Sequence, residues 1–534
     1  MKSLKHYFVI IAISTFPFLS FFITTLAPHT HDVVAHLPRI AAYYKALTGG
    51  QILPRWAADL NYGYGMPLFN FIYHVPYLIA SIPIAFGSTL VFAYKFALLI
   101  SFLLSGVCMY AFARKFFNDQ KTALFVTMLY QFAPFHLIDL VVRGDMAEGF
   151  AIAFLPLVLF AILQEHVPLI SIATLLLVTS HNSISLLFFG IAVLFVMFFS
   201  KNRMRAFLGL GLGLTLSAFY WLPAILERKY TYGDLFMKDL YTSHFVNPLL
   251  LFIPNLTDAR VLQVGGVAVS FGVMQTVVLI QGIVQLVKKT YRFAFSKRVI
   301  WFSLLLTLAS VIMMLPLSRI LWQQITILRM FQFPWRFLNI AVFSLALLGG
   351  VTLVHKKTSH ALLVGIILLT ILPTIVYFRP PLGFDYKDNQ EFWNYELNTT
   401  FFGETDVIWS AGPASRFPQN RFEVVGGEGT ITDPVKRDTV HTFTVSAQTP
   451  VHIVDHTQYF PGWRVFSDGQ KIPIEFQDQN WRGRITFRLP SGTHSVRVIW
   501  GNSPIRQVAE GITRISLLVL LGSLLWQTFR KPHI

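Results

Sequence analysis

The sequence predicts a polytopic α-helical membrane protein with a β-sandwich-like domain placed just before its last helix. Three observations predict it. Of 534 residues, 54% are hydrophobic and only 13% charged, with 51 Phe and a mean hydropathy of +0.56. Apolar runs of about 20 residues, the length that crosses a bilayer, recur through the first two thirds of the chain and once more at its end. Residues 379–507 form the one long polar segment, and its second half alternates like strands. Such a composition excludes an ordinary soluble enzyme.

Lys2 and Lys5 precede an apolar run over 6–27 that lacks a clear small-x-small cleavage site and is followed by Pro28. It reads as an uncleaved first helix with a cytoplasmic N-terminus. Further runs lie at 89–113, 121–140, 148–165, 182–200, 206–226, 266–287, 299–317, 337–354, 360–378 and 510–529, with a shorter one at 167–180. The stretch 66–87 is apolar too, and loop charge decides its role. Arg114/Lys115/Lys121, Lys201/Arg203/Arg205, Lys288/Lys289/Arg292/Lys297/Arg298, Lys356/Lys357 and Arg530/Lys531 all become cytoplasmic if 167–180 spans and 66–87 does not. The topology then has about 12 spans, both termini cytoplasmic, and 28–87 as one large outer loop. Pro67, Pro76 and Pro83 suit broken interfacial helices within that loop.

The expected organisation is a transmembrane domain over 1–378, an extracytoplasmic β-rich domain over 379–507, and a final helix with a cytoplasmic tail over 508–534, in the plasma membrane. In the β-rich part, Tyr459–Phe466 and Ile472–Phe476 flank Ser467-Asp468-Gly469-Gln470, a hairpin signal. Arg484–Leu489 and His494–Trp500 flank Pro490-Ser491-Gly492-Thr493 and repeat the pattern.

Lys and Arg number 43 against 26 acids, a formal charge of +17. Most of the bases sit in short loops between apolar runs, where they signal topology and contact with anionic lipid. No nucleic-acid motif accompanies them. Cys108 is the single cysteine, so disulfides and thiolate zinc sites are excluded.

Polar chemistry held at one membrane face is expensive, and so marks function. Asp32, His36 and Arg39, spaced i, i+4 and i+7, share one face of a helix. A carboxylate there can accept the proton of an acceptor hydroxyl while nearby cations hold a phosphate leaving group. The same residues also suit an interfacial ion pair of Asp32 with Arg39 or Arg55. His29, His31 and His36 do not have the spacing of a helical zinc pair. A hard divalent cation (Mg or Mn) held partly by Asp32 and donor phosphate fits better.

The second outer loop carries Arg143, Asp145 and Glu148, a phosphate ligand with acidic partners or a solvated loop ahead of a helix. His181 and Asn182 end the short run, placed to bond a phosphate or sugar hydroxyl or to cap the next helix. Glu227 follows another outer helix end. Arg329 and Arg336 flank Phe331-Gln332-Phe333-Pro334-Trp335, where arginine either snorkels or clamps a lipid phosphate. Arg55 and Tyr64 join the substrate-side candidates from the first loop. Asn398-Thr399-Thr400 is a glycosylation sequon, and the glycines at 209, 211 and 213 sit in an apolar helix as packing features.

The run H-D-x3-H-L-x-R from His31, G-x-x-x-P-R-W-x4-N-x-G-Y-G-x-P-L-F from Gly50, R-G-x-x-A-E from Arg143, Ser180-His181-Asn182 and Phe333-Pro334-Trp335-Arg336-Phe337 resembles large integral membrane proteins labelled "6-pyruvoyl-tetrahydropterin synthase-related". The end of the chain, from Tyr459-Phe460-Pro461-Gly462-Trp463-Arg464 to Gly492-Thr493-His494 and a last helix, is similar to the related YfhO-type membrane proteins. The architecture resembles the GT-C glycosyltransferases, which keep an acid in the first outer loop and use polyprenyl-phosphate sugars. That resemblance implies Asp32 as the acid, Arg39, Arg55 and Arg143 on the phosphate side, and a β domain that positions an acceptor glycan, lipid or protein. Many GT-C members carry adjacent acids, whereas here His31 stands beside Asp32, which leaves the cation open. Two other classes stay in view. A lipid or polysaccharide transporter would bury charges mid-helix and show repeats. A non-catalytic assembly protein would not need Asp32.

Overall fold

A run of apolar residues in a bilayer leaves its backbone no hydrogen-bond partner but itself, and so folds as a helix. The computed structural model describes residues 2–257, 260–291, 293–354, 358–400 and 403–529. Among them, eight helices are long and apolar enough to cross a membrane: Lys5–Phe22, Leu90–Phe117, Met146–Leu163, Asn182–Phe199, Ala294–Met314, Pro334–Leu353, His360–Tyr377 and Pro504–Leu525. Two bent pairs raise the number to ten, Gln120–Gln131 with Pro134–Arg143 at 50° and Arg203–Leu216 with Ala218–Leu226 at 66°. Pro134, which has no N–H to continue the ladder, starts the second half of the first pair.

The remaining two of the twelve expected spans are the helices Val167–Val178 and Val273–Val287, of 12 and 15 residues. At 1.5 Å per residue these measure about 18 and 22 Å, short of a hydrocarbon core of about 30 Å. The stretch 66–87 holds a 3-10 turn at Leu68–Asn70 and a helix of 11 residues, Val75–Ala85, which is also too short to cross. Arg292, Lys356, Lys357, Arg530 and Lys531, members of the basic loops, lie outside the described residues.

The helices that position most of the site and tie it to the β domain include α1 (Val33–Thr48), α2 (Val75–Ala85), α3 (Leu90–Phe117), α4 (Met146–Leu163), α5 (Asn182–Phe199) and α6 (Pro504–Phe529). Helix α1 buries Val33, Leu37, Ile40 and Ala41, a stripe at i, i+4, i+7 and i+8, and packs against α2 and α3. Helix α3 in turn packs along α4, which is buried almost throughout.

The C-terminal part forms β1 (Phe422–Gly426), β2 (Gly429–Lys436), β3 (Val440–Ala447), β4 (Val451–Gln458), β5 (Trp463–Ser467), β6 (Gln470–Ile472), β7 (Arg484–Leu489) and β8 (Gly492–Trp500). They make a five-stranded sheet, β6-β5-β8-β3-β2, and a three-stranded sheet, β7-β4-β1, both antiparallel. The two sheets share one core, with Phe443, Val445, Val465, Val496 and Val498 facing Ile453, Ile485 and Phe487.

The Ser467–Gln470 turn forms as expected, Asp468 and Gly469 both having positive φ (53° and 81°) as a type I′ turn requires, but it joins Trp463–Ser467 to the short strand Gln470–Ile472, and the expected strand over 472–476 does not form. The second expected hairpin does not form. β7 and β8 lie in opposite sheets, because Gly492 (φ +134°) turns the chain across the core instead of back on itself.

Two features tie this domain to the rest. Trp56 and Phe71, from the loop over 28–87, belong to the β core; the Trp56 ring lies 5.4 Å from that of Trp463 and 4.9 Å from that of Trp500. Gly65 passes so close that a Cβ there would stand 2.7 Å from the Trp56 ring. Glu227, fully buried, accepts from Asn70 Nδ2 (2.8 Å), the Ser503 hydroxyl and Arg506 Nε (3.3 Å), which fastens the root of α6.

Candidate functional site

Asp32 occupies the N-cap position of α1, yet its carboxylate makes no capping bond. Its backbone N–H donates to the Arg143 carbonyl (2.9 Å), and that of His31 to the Val142 carbonyl (3.1 Å). The start of α1 is thus bound to the loop that precedes α4. The Asp32 side chain keeps 38% of its surface accessible, and Arg143 Nη2 stands 4.0 Å from it.

Arg143 closes a π-helical turn, Asp139–Arg143, of a kind that often marks functional sites. Gly144 follows in the left-handed region (φ +77°). A Cβ there would collide with the Tyr94 hydroxyl and Thr30 Oγ1. Tyr94 donates to the Gly144 carbonyl (2.8 Å), and its hydroxyl lies 2.9 Å from Thr30 Oγ1. Asp145 then caps α4 by accepting the N–H groups of Ala147 and Glu148, each at 3.0 Å.

Around Arg143 a buried ionic cluster assembles. Its guanidinium pairs with Asp139, with Asp145 (3.2 Å) and with Glu148 (3.0 Å), and it lies 4.9 Å over the Trp335 ring. Arg336 donates from Nε to Glu148 (2.7 Å) and from Nη1 to Gln332 Oε1 (2.8 Å) and the Phe331 carbonyl (3.0 Å). His181 caps α5 by accepting the Ile184 N–H on Nδ1 (3.3 Å), which assigns the proton to Nε2. Nε2 faces Asp145 and Glu148, 3.8 Å from each, and the ring stacks on Tyr73 at 5.2 Å.

His36, buried one turn along α1 from Asp32, holds its Nδ1 3.1 Å from the Tyr77 hydroxyl. Arg39, two turns along, donates from Nε to Thr399 Oγ1 (3.0 Å) and from Nη2 to the Thr399 carbonyl.

The surroundings set the charges. Burial pushes the Asp32 carboxyl up to about 6; Arg143, Arg39 and Arg336 pull it down and Asp145 adds to the rise. Burial would also raise Asp145, but Arg143, His181 and His36 together hold it well below the usual carboxylate range. Burial lowers the His36 imidazole to about 3 and that of His181 to about 4, so both are neutral at neutral pH.

Seven of the sequence candidates therefore come together: Asp32, His36, Arg39, Arg143, Asp145, Glu148 and His181, with Arg336 as an eighth. Three go elsewhere. Arg55, 3% exposed, donates to Asn70 Oδ1 (3.1 Å) and the Phe219 carbonyl (2.9 Å) and pairs with Glu510 (3.4 Å) as part of the α6 fastening. Tyr64 packs at the β-domain seam under the Arg484 guanidinium, 4.9 Å from its ring. Asn182 donates to the Phe71 carbonyl (2.9 Å) and accepts from the Tyr220 hydroxyl.

Asp139, Tyr77 and Gln332 belong to the cluster and were not among the candidates. Asp139 had a signal, a lone acid in an apolar run four residues before Arg143, the spacing of a helical ion pair.

Asp145, Glu148 and His181 offer ligand atoms within 4.8 Å of one another. With the His181 proton on Nε2, a divalent cation would be held by the two carboxylates, an oxygen set that suits Mg or Mn.

A family model described as "6-pyruvoyl-tetrahydropterin synthase related domain; membrane protein" matches residues 69–380, more than half of the chain. The chain belongs to this family. The matched region of this PTPS-related membrane protein contains Arg143, Asp145, Glu148, His181 and Arg336, while Asp32, His36 and Arg39 precede it. No curated protein matches it. Solved structures similar to it include the arabinofuranosyltransferase AftD from Mycobacteria, at 13% identity and a TM-score of 0.42 over 70% of this chain and 26% of that one. Another is the Archaeoglobus fulgidus oligosaccharyltransferase in the apo form, at 15% identity and a TM-score of 0.39 over 72% of this chain and 57% of that one. The PTPS-related protein thus spans about a quarter of the length of the first and just over half of the second.

Proposed function

We propose that this protein is a membrane glycosyltransferase that moves a sugar from polyprenyl phosphate to a hydroxyl of an extracytoplasmic glycan, lipid or protein, with Asp32 as general base. One observation carries the reading. An accessible carboxylate, bonded to no cap and raised toward neutrality, stands 4.0 Å from a buried guanidinium in an otherwise paired ionic cluster. A base needs that combination of access and basicity, and the other acids of the cluster have partners instead.

Asp32 takes the proton of the acceptor hydroxyl as the oxygen attacks the anomeric carbon. The bond from that carbon to the phosphate oxygen breaks, the configuration inverts, and polyprenyl phosphate leaves with one more negative charge. Arg39 lies on the α1 face that carries Asp32 and His36, and it meets the developing charge. Asp145 and Glu148 would hold a divalent cation, which would supply further positive charge toward the departing phosphate. His181 and Arg336 hold those acids in place. The donor's lipid tail lies among the helices, and the reaction takes place on the outer side of the plasma membrane.

The test uses purified protein in liposomes with a panel of radiolabelled polyprenyl-phosphate sugars. Wild type releases or transfers sugar, and Asp32→Asn, folded and inserted, loses about 10²–10⁴-fold of that rate. Equal turnover by the two proteins removes Asp32 from the mechanism.

A further inference from the structure

Alternation along β4 sends Val451 and Ile453 into the core between the sheets, which turns His452 to the outer face of the three-stranded sheet. On β7, Phe487 and Leu489 enter the same core, and Arg488, the residue paired with His452, also faces outward. The segment 473–483, which leads from β6 to β7, folds back over this face. The Glu475 N–H donates to the Thr486 carbonyl (2.7 Å), and the Thr486 hydroxyl donates to the Glu475 carbonyl. Held in this way, the segment brings Glu475 and Asp478 to His452.

These three side chains offer one ligand atom each, all within 4.8 Å of one another. His452 Nε2 is buried and has no hydrogen-bond partner. It faces Glu475 Oε2 at 3.7 Å, too long for a hydrogen bond. Two ligands of one tetrahedral zinc ion, each about 2.0–2.1 Å from the metal, stand about 3.4 Å apart. The separation therefore suits a shared ion better than a direct bond. Asp478 accepts the N–H groups of Asn480 (2.8 Å) and Trp481 (3.2 Å) on Oδ1, which fixes its carboxylate and leaves Oδ2 to a ligand. Glu475 also meets Arg488 (3.2 Å), but that arginine side chain is two-thirds exposed, and exposed pairs contribute little. An imidazole with two carboxylates is a mixed donor set that suits zinc, whereas Mg and Ca prefer oxygen alone.

We propose that His452, Glu475 and Asp478 bind a zinc ion, with solvent at its fourth position, and that the ion pins the 473–483 segment to the outer face of the β domain. The segment carries Phe476, whose ring stacks on Tyr459 (4.1 Å between centroids) and lies 5.0 Å from Trp409. The ion thus also fixes this aromatic group. As a ligand, His452 presents the lone pair of Nε2 and keeps its proton on Nδ1. None of these residues belongs to the Arg143 cluster, and zinc binding is measured without any glycosyl transfer.

Full-length protein, purified without a histidine tag and stripped with EDTA, is titrated calorimetrically with zinc chloride. Excess Mg is present to compete for Asp145 and Glu148. Wild type binds zinc, and His452→Gln and Asp478→Asn each weaken that binding by about 100-fold, since losing even a residue that only orients a ligand costs about 10–100-fold. Hydrogen exchange locates the ion: zinc slows exchange across 473–483 in wild type and leaves it unchanged in His452→Gln. None of the three side chains enters the core, so the variants melt like stripped wild type; one that melts lower is replaced by Glu475→Gln, which loses zinc equally. Absence of zinc binding by wild type, binding that these substitutions leave unaltered, or zinc that does not protect 473–483 overturns the proposal.

Discussion

Asp32 differs from the other acids around Arg143 in what it lacks. Asp145 caps a helix, Glu148 holds two arginines, and Asp139 pairs with Arg143, so each is committed to its partners. Asp32 has Arg143 only at 4.0 Å, and its partial burial raises it to about 6. The groups that face it are Arg143, Asp145, Arg39 and Arg336. A base must be ionised, so kcat/KM is expected to fall tenfold per pH unit below about 6 and to level off above it. A pH–rate profile still level at pH 4.5 would exclude Asp32 as the titrating base. The cation has its own signature. Chelation with EDTA should abolish transfer and Mg or Mn should restore it, while Asp145→Asn should raise the metal concentration needed for half-maximal rate by about 10–100-fold. Activity indifferent to EDTA would show that the arginines alone balance the phosphate.

At the scale of elements, the junction between the 28–87 loop and the β domain is a shared core rather than a contact between finished units. Trp56, 1% exposed, fills space between Trp463 and Trp500 that no strand residue occupies. Trp56→Ala should therefore destabilise the β domain by about 3–5 kcal/mol, although Trp56 lies outside it in sequence. Denaturant titration followed by tryptophan fluorescence measures this, and an unchanged midpoint would mean that the domain folds without the loop. This junction also shows how much was legible in the chain. Asp32, His36 and Arg39 were legible because helical periodicity is local, and so was the Asp468-Gly469 turn, whose φ values are written in its residue types. The fates of Arg55 and Tyr64 were not. Their partners Glu510 and Arg484 lie more than 400 residues away, and no local pattern announces them. Asp139 was hidden differently, because a π-turn at the end of an apolar run looks the same as one more turn of a spanning helix. Nor does the Pro490–Thr493 turn reveal that its flanking strands part into separate sheets.

The whole molecule has two chemically different ends. Helix α5 runs from His181, in the ionic cluster, to Phe199, and Lys201 follows about 27 Å from the site. Helix α3 agrees, with Tyr94 near the cluster at one end and Arg114 and Lys115 in its last turn at the other. Site and basic loops thus lie at opposite ends of the same helices. Basic loops are expected on the cytoplasmic side, which predicts that the site and the β domain face outside, where a lipid-linked sugar needs no nucleotide. The chain permits a clean test because Cys108, its single cysteine, is buried within α3. Lys201→Cys and Ser491→Cys, both at exposed positions, can each be treated with a membrane-impermeant maleimide. In intact cells Ser491→Cys should label and Lys201→Cys should not, with the second reacting only after permeabilisation. Labelling of the two from the same side would break the link between the basic loops and the end opposite Asp32. The reverse pattern would put Asp32 in the cytoplasm, where nucleotide-activated donors abound and a polyprenyl-phosphate donor has no advantage.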